Sequence, residues 1–295
     1  MHRREFARTL AGAALGSAIS ASARSMAVPQ PEAGTPFKLS VMLWTIYRDR
    51  PFEERLEKVA EAGYHAVELV DEYKKWSEPE FRAANSKRRA LGINVDAMAG
   101  LTKGVADPAA REPFLAELSH LIPTAHKFDC AAIIVLSGNR VDGMSREVQH
   151  KACVETLKRA GDVAGRHNIT LLLENIDPVE NPKYFLTSVA EGFEIVREAK
   201  HPKVQFLYDF YHEQISEGNL IEKLEKNIEH VGLVHVADVP GRHEPGTGEI
   251  NYANIYRKLA DLKYNRYVAM EFEPSGDPVT TLRAARDMVA RSAAK

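Results

Sequence analysis

The sequence predicts a single α/β domain, a closed (β/α)8 barrel. Strand-like and helix-like segments alternate from about residue 36 to residue 295, which is typical of parallel sheets built from βαβ units. This body holds about 260 residues, close to the roughly 250 of such a barrel. Four short apolar runs in its second half each end in a polar side chain. These ends are 35, 26 and 36 residues apart, about one strand–helix unit each time.

Taken in order, the segments predict eight strands, each followed by a helical segment. The strands are predicted at Leu39–Trp44, His65–Leu69, Ile93–Met98 and Ala131–Gly138, and in the runs ITLLLEN, VQFLYDF, VGLVHVAD and YVAMEFEP. The first four helices are predicted from Pro51 to Gly63, over SEPEFRAANSKRRALG, over Pro113–Phe128 and from Arg146 to His167. Pro51 suits a first helical position, and Gly63 suits the residue just past a helix end. Eight such pairs favour a closed barrel over an open sheet.

The first 27 residues are predicted to be a twin-arginine export signal. Arg3 and Arg4 are followed by Phe6 and a modestly apolar run rich in Ala and Gly, and Ser25-Met26-Ala27 offers a cleavage site. The alternative is a frayed N-terminal helix of a cytosolic protein. We therefore expect a mature barrel at residues 36–295, a periplasmic or other extracytoplasmic location, and no stable membrane insertion after signal removal.

Composition excludes several classes of protein. Apolar residues make up 44% and charged residues 27% of the chain, as in ordinary soluble domains. The net charge of −2 argues against a nucleic-acid partner, because nucleic-acid binders usually carry a basic stripe. Cys130 and Cys153 are the only cysteines, and two thiols form no disulfide framework. We interpret them as isolated buried thiols, with pairing left open for an exported protein.

The polar ends of the four apolar runs are Glu174, Asp209, His235 and Glu271. The carboxyl ends of barrel strands converge on one face, and a carboxylate leaving a buried strand needs a cationic partner because its desolvation is costly. Each residue taken singly is more simply a salt-bridged or hydrogen-bonded structural group. Together, hard oxygens and one imidazole are the ligands typical of Mg²⁺ or Mn²⁺. The sequence thus predicts a divalent metal site.

Glu174 and Glu271 have a second predicted role. Strands on different sides of a barrel mouth place them on either side of a small substrate. One carboxylate can remove a proton next to a carbonyl while a metal stabilises the enediolate that forms. The pair therefore suits proton transfer between neighbouring carbons of an α-hydroxy carbonyl compound.

Several of these segments resemble hydroxypyruvate isomerases, which belong to the xylose isomerase-like TIM barrels. They are SVMLW with its helix, LLLEN, HVADVPGRHEPGTGEINY and MEFEP. The resemblance implies that the four strand-end residues surround the metal, with Glu174 and Glu271 as the acid/base pair. It also implies that His212 and Arg242 contact substrate. His235 departs from the glutamine of many hydroxypyruvate isomerases and matches the sugar 3-epimerase branch.

Other polar residues near the strand ends have separate interpretations. Arg242, in a Gly-rich loop, could pair with a substrate carboxylate. Asp238 could orient a metal ligand. Glu68 is interpreted as a structural ion pair, and Trp44 equally as a substrate wall or as core packing.

The predicted function is a metal-assisted isomerase of a small hydroxy-keto compound, of the hydroxypyruvate to tartronate semialdehyde type. A ketose 3-epimerase with the same metal site is the alternative within enzymes, and an exported non-catalytic sugar-binding barrel is the alternative outside them. The expected partner is a small-molecule substrate, with formation of a homo-oligomer left open.

Overall fold

Eight parallel strands close into a barrel in sequential order β1 to β8. The computed structural model describes residues 36–293, so the predicted signal at residues 1–27 lies outside the described residues. The strands are β1 Lys38–Met42, β2 Ala66–Leu69, β3 Asn94–Met98, β4 Ala132–Leu136, β5 Thr170–Glu174, β6 Val204–Asp209, β7 Val231–Val236 and β8 Tyr267–Met270. The predicted (β/α)8 fold is therefore confirmed, and its strands agree with the predicted runs to within a few residues.

The α-helices of residues 36–293 surround this barrel. They are α1 Phe52–Glu61, α2 Glu78–Ala90, α3 Arg111–Lys127, α4 Arg146–Arg166, α5 Val189–Ala199, α6 Phe210–Ser216, α7 Leu220–Asn227, α8 Tyr252–Asp261 and α9 Pro278–Ala293. The prediction of one helix per strand is wrong after β6, where α6 and α7 follow in succession. Gly218 and Asn219 both have positive φ, a conformation that ends a right-handed helix.

The barrel interior is a small apolar cluster separate from the larger core between strands and helices. Its buried members are Met42, Ala97, Ile134, Leu172, Leu207, Leu233 and Ala269. Successive side chains of a strand point to opposite faces. A residue two positions after one of these members therefore also points inward, one layer nearer the mouth. Glu174, Asp209, His235 and Glu271 stand in this position on β5 to β8.

The end of the first strand differs from the prediction. β1 ends at Met42, and a short 3₁₀ turn over Leu43–Thr45 follows it, so Trp44 lies past the strand at the barrel mouth. Cys130 and Cys153 are buried and unpaired, in agreement with isolated thiols. Among residues 36–293, no helix has the length and apolar character that a membrane crossing requires.

Candidate active site

The four strand-end residues of β5 to β8 meet in one cluster at the barrel mouth. Glu174, Asp209, His235 and Glu271 each place a ligand-type atom within 4.8 Å of the others, and all four are buried. The pairing of β6 with β7 sets Asp209 beside His235 in register. Residues up to 97 positions apart in sequence (174 to 271) are thus assembled by strand order alone.

His235 turns one ring nitrogen into this cluster and the other into the barrel. Its Nδ1 is 2.7 Å from Oε2 of Glu271, 3.6 Å from Oε1 of Glu174 and 4.0 Å from Oδ2 of Asp209. Its Nε2 is 2.9 Å from Oε2 of Glu68. Glu68 does form a structural ion pair of the kind predicted, but its partner is the imidazole of the cluster.

The two carboxylate oxygens of Asp209 have different surroundings, one at the start of α6 and the other in the cluster. Oδ1 accepts hydrogen bonds from the backbone N–H groups of Tyr211 (2.7 Å) and His212 (3.3 Å) and so caps α6. Oδ2 is buried and has no hydrogen-bond partner among the described residues. Leaving a buried polar atom unpaired costs about 1–3 kcal/mol, and more for a charged group. Three carboxylates, one of which has this oxygen without a hydrogen bond, and one imidazole fit a divalent cation.

The environments of the two glutamates push their pKa values in opposite directions. Burial raises the pKa of Glu174, and the nearby charge of His235 only partly offsets that effect. Burial acts on Glu271 as well, but the positive charges of Arg242 and His235 outweigh it and hold the pKa of Glu271 well below its ordinary value. In the metal-free protein, Glu174 is therefore the more basic carboxylate of the pair.

Arg242 closes the mouth from the loop after β7. Its Nη2 is 3.0 Å from Oε1 of Glu271, and its Nη1 is 2.8 Å from Oε1 of Glu180. The guanidinium lies near the rings of Trp44 (5.3 Å) and Tyr211 (4.9 Å). Burial would lower the pKa of Arg242, but the neighbouring carboxylates raise it. Arg242 is therefore paired with carboxylates at the mouth and is not a solvated loop arginine, and its contact with substrate stays a prediction.

His212 lies directly behind the cluster and is paired with a carboxylate. Its Nδ1 is 2.7 Å from Oδ2 of Asp177, and its Nε2 is 3.5 Å from Oδ2 of Asp209. Burial would lower the pKa of His212, but the charge of Asp209 and the hydrogen bond to Asp177 raise it to about 9. The imidazole is therefore positively charged at neutral pH and faces the site.

Replacing Asp177 by asparagine is expected to lower the pKa of His212 in the metal-free protein. The wild-type imidazole should titrate near pH 9 in a ¹⁵N NMR titration, and the variant should titrate clearly lower because the carboxylate acceptor is gone. Because the folded pKa lies above the usual 6.5, this contribution to stability is fully present below pH 6.5. It is lost as the pH rises through about 9, so the stability gap between the two proteins should narrow over that interval.

The control for this titration is Asp162→Asn, which removes a carboxylate 3.5 Å from the peripheral His201. It should leave the His212 midpoint unchanged. A wild-type midpoint near 6.5, or equal midpoints in wild type and Asp177→Asn, would contradict the pairing.

Two further sequence interpretations are decided by the geometry. Trp44 donates from Nε1 to Oε1 of Glu271 at 2.9 Å, so it forms part of the site wall. Asp238 accepts hydrogen bonds from the backbone N–H groups of Gly246 (2.8 Å) and Ile250 (3.0 Å). It therefore holds the loop after β7 together and does not orient a cluster residue as predicted.

The sequence reasoning missed Asp177 and Glu180. Both lie in the segment IDPVEN directly after β5, and loops at the carboxyl ends of barrel strands carry substrate contacts. The positions of these two acidic residues, three and six after Glu174, could have predicted that they lie near the site. Their partners lie elsewhere in the fold, His212 on α6 and Arg242 in the loop after β7.

A family model described as "Xylose isomerase-like TIM barrel" matches residues 56–292. The chain belongs to this family. Curated relatives include a putative hydroxypyruvate isomerase of Xenopus laevis, 30% identical over 81% of this chain and 90% of the relative. The hydroxypyruvate isomerase of Escherichia coli is 29% identical over 83% of this chain and 97% of its own length. The 2-oxo-tetronate isomerase of Haemophilus influenzae is 29% identical over 83% and 96%.

Solved structures of the same architecture superpose on most of the chain. A protein described as an AP endonuclease, family 2, from Brucella melitensis matches with a TM-score of 0.77 and 26% identity, covering 83% of this chain and 96% of its own. A D-psicose 3-epimerase from Clostridium cellulolyticum H10 matches with a TM-score of 0.70, 20% identity and coverages of 87% and 96%. The latter likeness shows the fold alone.

These relatives confirm two of the predictions. The chain is an enzyme of the aldose–ketose isomerase type, and its partner is a small-molecule substrate. The alternative of a non-catalytic binding barrel finds no support among them. The described residues also contain the predicted cluster that could hold a metal.

Proposed function

We propose that this enzyme is a metal-assisted isomerase of the hydroxypyruvate to tartronate semialdehyde type. The observation that carries the proposal is the pair Glu174 and Glu271. Both are buried in one metal-capable cluster, and their pKa values are shifted in opposite directions. Two titratable groups pushed apart in this way are typical of acid/base catalysis. The names of the curated relatives agree with this chemistry.

The cluster residues divide the proton transfer between them. A divalent cation, when bound, polarises the substrate carbonyl and stabilises negative charge on its oxygens. Glu174, the stronger base, removes a proton from the carbon next to the carbonyl. Glu271 donates a proton to the neighbouring carbon, which is the former carbonyl carbon. The proton of the substrate hydroxyl group passes to the former carbonyl oxygen. Atoms and electrons balance, because the reaction moves hydrogen within one molecule.

Positive charge at the mouth supports a substrate with a carboxylate group. Arg242 is always charged, and His212 is protonated at neutral pH because its pKa is about 9. Arg242, from the loop after β7, and His212, from α6, approach the same oxygen of Asp209 at 3.9 Å and 3.5 Å. A keto acid could place its carboxylate against Arg242 and its reacting carbons between the two glutamates.

A ketose 3-epimerase is the second candidate, and one observation favours it. A cleft of about 420 Å³ opens at the carboxyl end of β4, lined by Leu136, Asn139, Lys103 and Asn181 among others. Leu136 pairs in register with Glu174, so one wall of the cleft is formed by the strand next to β5, although no cluster residue lines the cleft itself. A three-carbon acid leaves such a cleft unused, whereas a longer keto sugar could fill it with hydroxyl groups.

Deuterium uptake by substrate is the experiment that tests the function. In D₂O, the Mg²⁺-loaded enzyme should introduce deuterium next to the carbonyl of hydroxypyruvate, followed by proton NMR, and EDTA should stop the uptake. The same measurement on a panel of ketoses separates the two candidates, because the true substrate should exchange fastest. No exchange with any compound, despite demonstrated metal binding, would contradict both.

Twin-arginine export and a periplasmic location stay predictions. We infer them from the arginine pair and the cleavage site at residues 25–27. N-terminal sequencing of the protein from fractionated cells tests them, and an unprocessed chain in the cytosol would contradict them.

A further inference from the structure

A fully buried carboxylate lies beneath the cluster, inside the barrel. Glu68 of β2 has no solvent exposure, and its Oε2 is 2.9 Å from Nε2 of His235. Its Oε1 is buried without a hydrogen-bond partner among the described residues. The inward layer around it is otherwise largely aliphatic, with Leu172, Leu207 and Leu233 from later strands. Packing alone would favour an apolar side chain here, because burying a charge is costly.

The two nitrogens of His235 face different groups. Nδ1 lies among the cluster carboxylates, 2.7 Å from Glu271 and 3.6 Å from Glu174, while Nε2 points to Glu68. An imidazole that binds a metal through one nitrogen carries its proton on the other. An ionised carboxylate can only accept a hydrogen bond. In the metal-free structure Nδ1 also faces a carboxylate, Oε2 of Glu271, at 2.7 Å. A cation in the cluster would take the place of the Nδ1 proton, and Glu68 would then hold the remaining proton on Nε2 and leave the Nδ1 lone pair for the cation.

We propose that Glu68 is a positioning residue that holds His235 for metal binding. It fixes the proton on Nε2, fixes the orientation of the ring and makes Nδ1 a stronger ligand. The inference rests on the metal site of the proposed function. Carboxylates that accept from a metal-binding imidazole typically change metal affinity 10- to 100-fold when removed.

A second, half-buried acid in the same part of the barrel supplies the control. Asp96 of β3 has a buried Oδ1 with no hydrogen-bond partner among residues 36–293, and its Oδ2 accepts from the hydroxyl of Ser40 at 3.0 Å. No hydrogen bond links Asp96 to His235 among the described residues. Asp96→Asn therefore replaces a second carboxyl group near the site with an amide of the same size and leaves the acceptor of His235 in place.

The test measures zinc affinity by calorimetry and the His235 nitrogens by long-range ¹H–¹⁵N NMR of the zinc-loaded protein. Glu68→Leu should weaken zinc binding by about 10- to 100-fold and remove the single fixed pattern of a protonated Nε2 with a metal-bound Nδ1. Glu68→Gln keeps an oxygen acceptor, so it should keep that pattern and lose less affinity. Asp96→Asn should bind zinc within about twofold of wild type. Removing one partner of a buried pair is destabilising, so the metal-free Glu68→Leu protein should melt below wild type, and circular dichroism verifies that it is folded at the temperature of the zinc titration.

Three results would overturn the inference. In the first, Glu68→Leu binds zinc with wild-type affinity and keeps the nitrogen pattern. In the second, Asp96→Asn loses as much zinc affinity as Glu68→Leu. In the third, Glu68→Leu loses thermal stability while its zinc affinity is unchanged. If Glu68→Leu does not fold, Glu68→Gln provides the test. Zinc bound through Nε2 of His235 in Glu68→Gln would also overturn the inference. Failure of the wild-type protein to bind zinc, Mg²⁺ or Mn²⁺ is a different result, because it contradicts the metal site of the proposed function itself.

Discussion

Replacing Glu174 by glutamine is expected to lower both turnover and deuterium exchange by about 10²- to 10⁴-fold, the usual contribution of a positioned general base. Glutamine keeps the size of the side chain but cannot take a proton. Burial raises the pKa of Glu174, so this residue holds the more basic carboxylate of the pair. The rates are measured by proton NMR in D₂O on the Mg²⁺-loaded enzyme, with circular dichroism to verify folding.

Glu271→Gln distinguishes the two roles. If Glu271 serves the neighbouring carbon, this variant should lose turnover but keep measurable exchange at the carbon from which Glu174 removes its proton. Glu213→Gln is a matched control, because Glu213 is equally buried but contacts the backbone N–H of Val189 and the amine of Lys223 outside the cluster. It should leave the exchange rate unchanged. Exchange retained in Glu174→Gln and lost in Glu271→Gln would reverse the assignment.

Metal removal is expected to have the largest effect on stability. A ligand present at 100 times its Kd, and bound only by the folded state, stabilises a protein by about 2.7 kcal/mol. For a domain of this size that corresponds to a rise in Tm of about 5–11 °C. Saturating Mn²⁺ should produce such a rise, measured by scanning calorimetry, and EDTA should reverse it.

Asp209→Asn should remove most of this stabilisation. Its Oδ2 is the cluster oxygen that is buried without a hydrogen-bond partner among residues 36–293, and an amide is a far weaker ligand than a carboxylate. Asparagine still presents an oxygen to the backbone N–H groups of Tyr211 and His212, so the cap of α6 survives. Asp96→Asn, outside the cluster, should keep the full rise in Tm. An equal rise in Asp209→Asn and wild type would contradict the role of Asp209 as a ligand.

The barrel mouth has a polar half and an apolar half, and each half is expected to contribute differently to the proposed proton transfer. β5 to β8 end in the polar residues of the cluster, whereas β1 and β4 carry Trp44 and Leu136 at the equivalent level. The polar half concentrates charge where protons move. A substrate that covers Leu136, which is 38% exposed here, would displace water from that region and strengthen the electrostatic interactions within it. Substrate size is expected to depend mainly on the apolar half.

The strand ends could be predicted from the sequence because the burial of a strand is visible in its own residues. A strand inside a barrel is covered on both faces, so its residues form a continuous apolar run, and the first polar residue marks the mouth. This is how Glu174, Asp209, His235 and Glu271 were identified without coordinates. Apolar runs of the same kind predicted the eight strands. The break between α6 and α7 has no such pattern, because it depends on two residues in a left-handed conformation.

The partners of these residues were decided only by the tertiary structure. His235 contacts Glu68 from 167 residues away, Arg242 contacts Glu180 from 62, and His212 contacts Asp177 from 35. No periodicity encodes such pairs, because they depend on how deep each side chain lies in the barrel and which way its loop turns. The sequence by itself determined which residues reach the mouth. Barrel closure, which sets those depths and directions, decided what each of them touches.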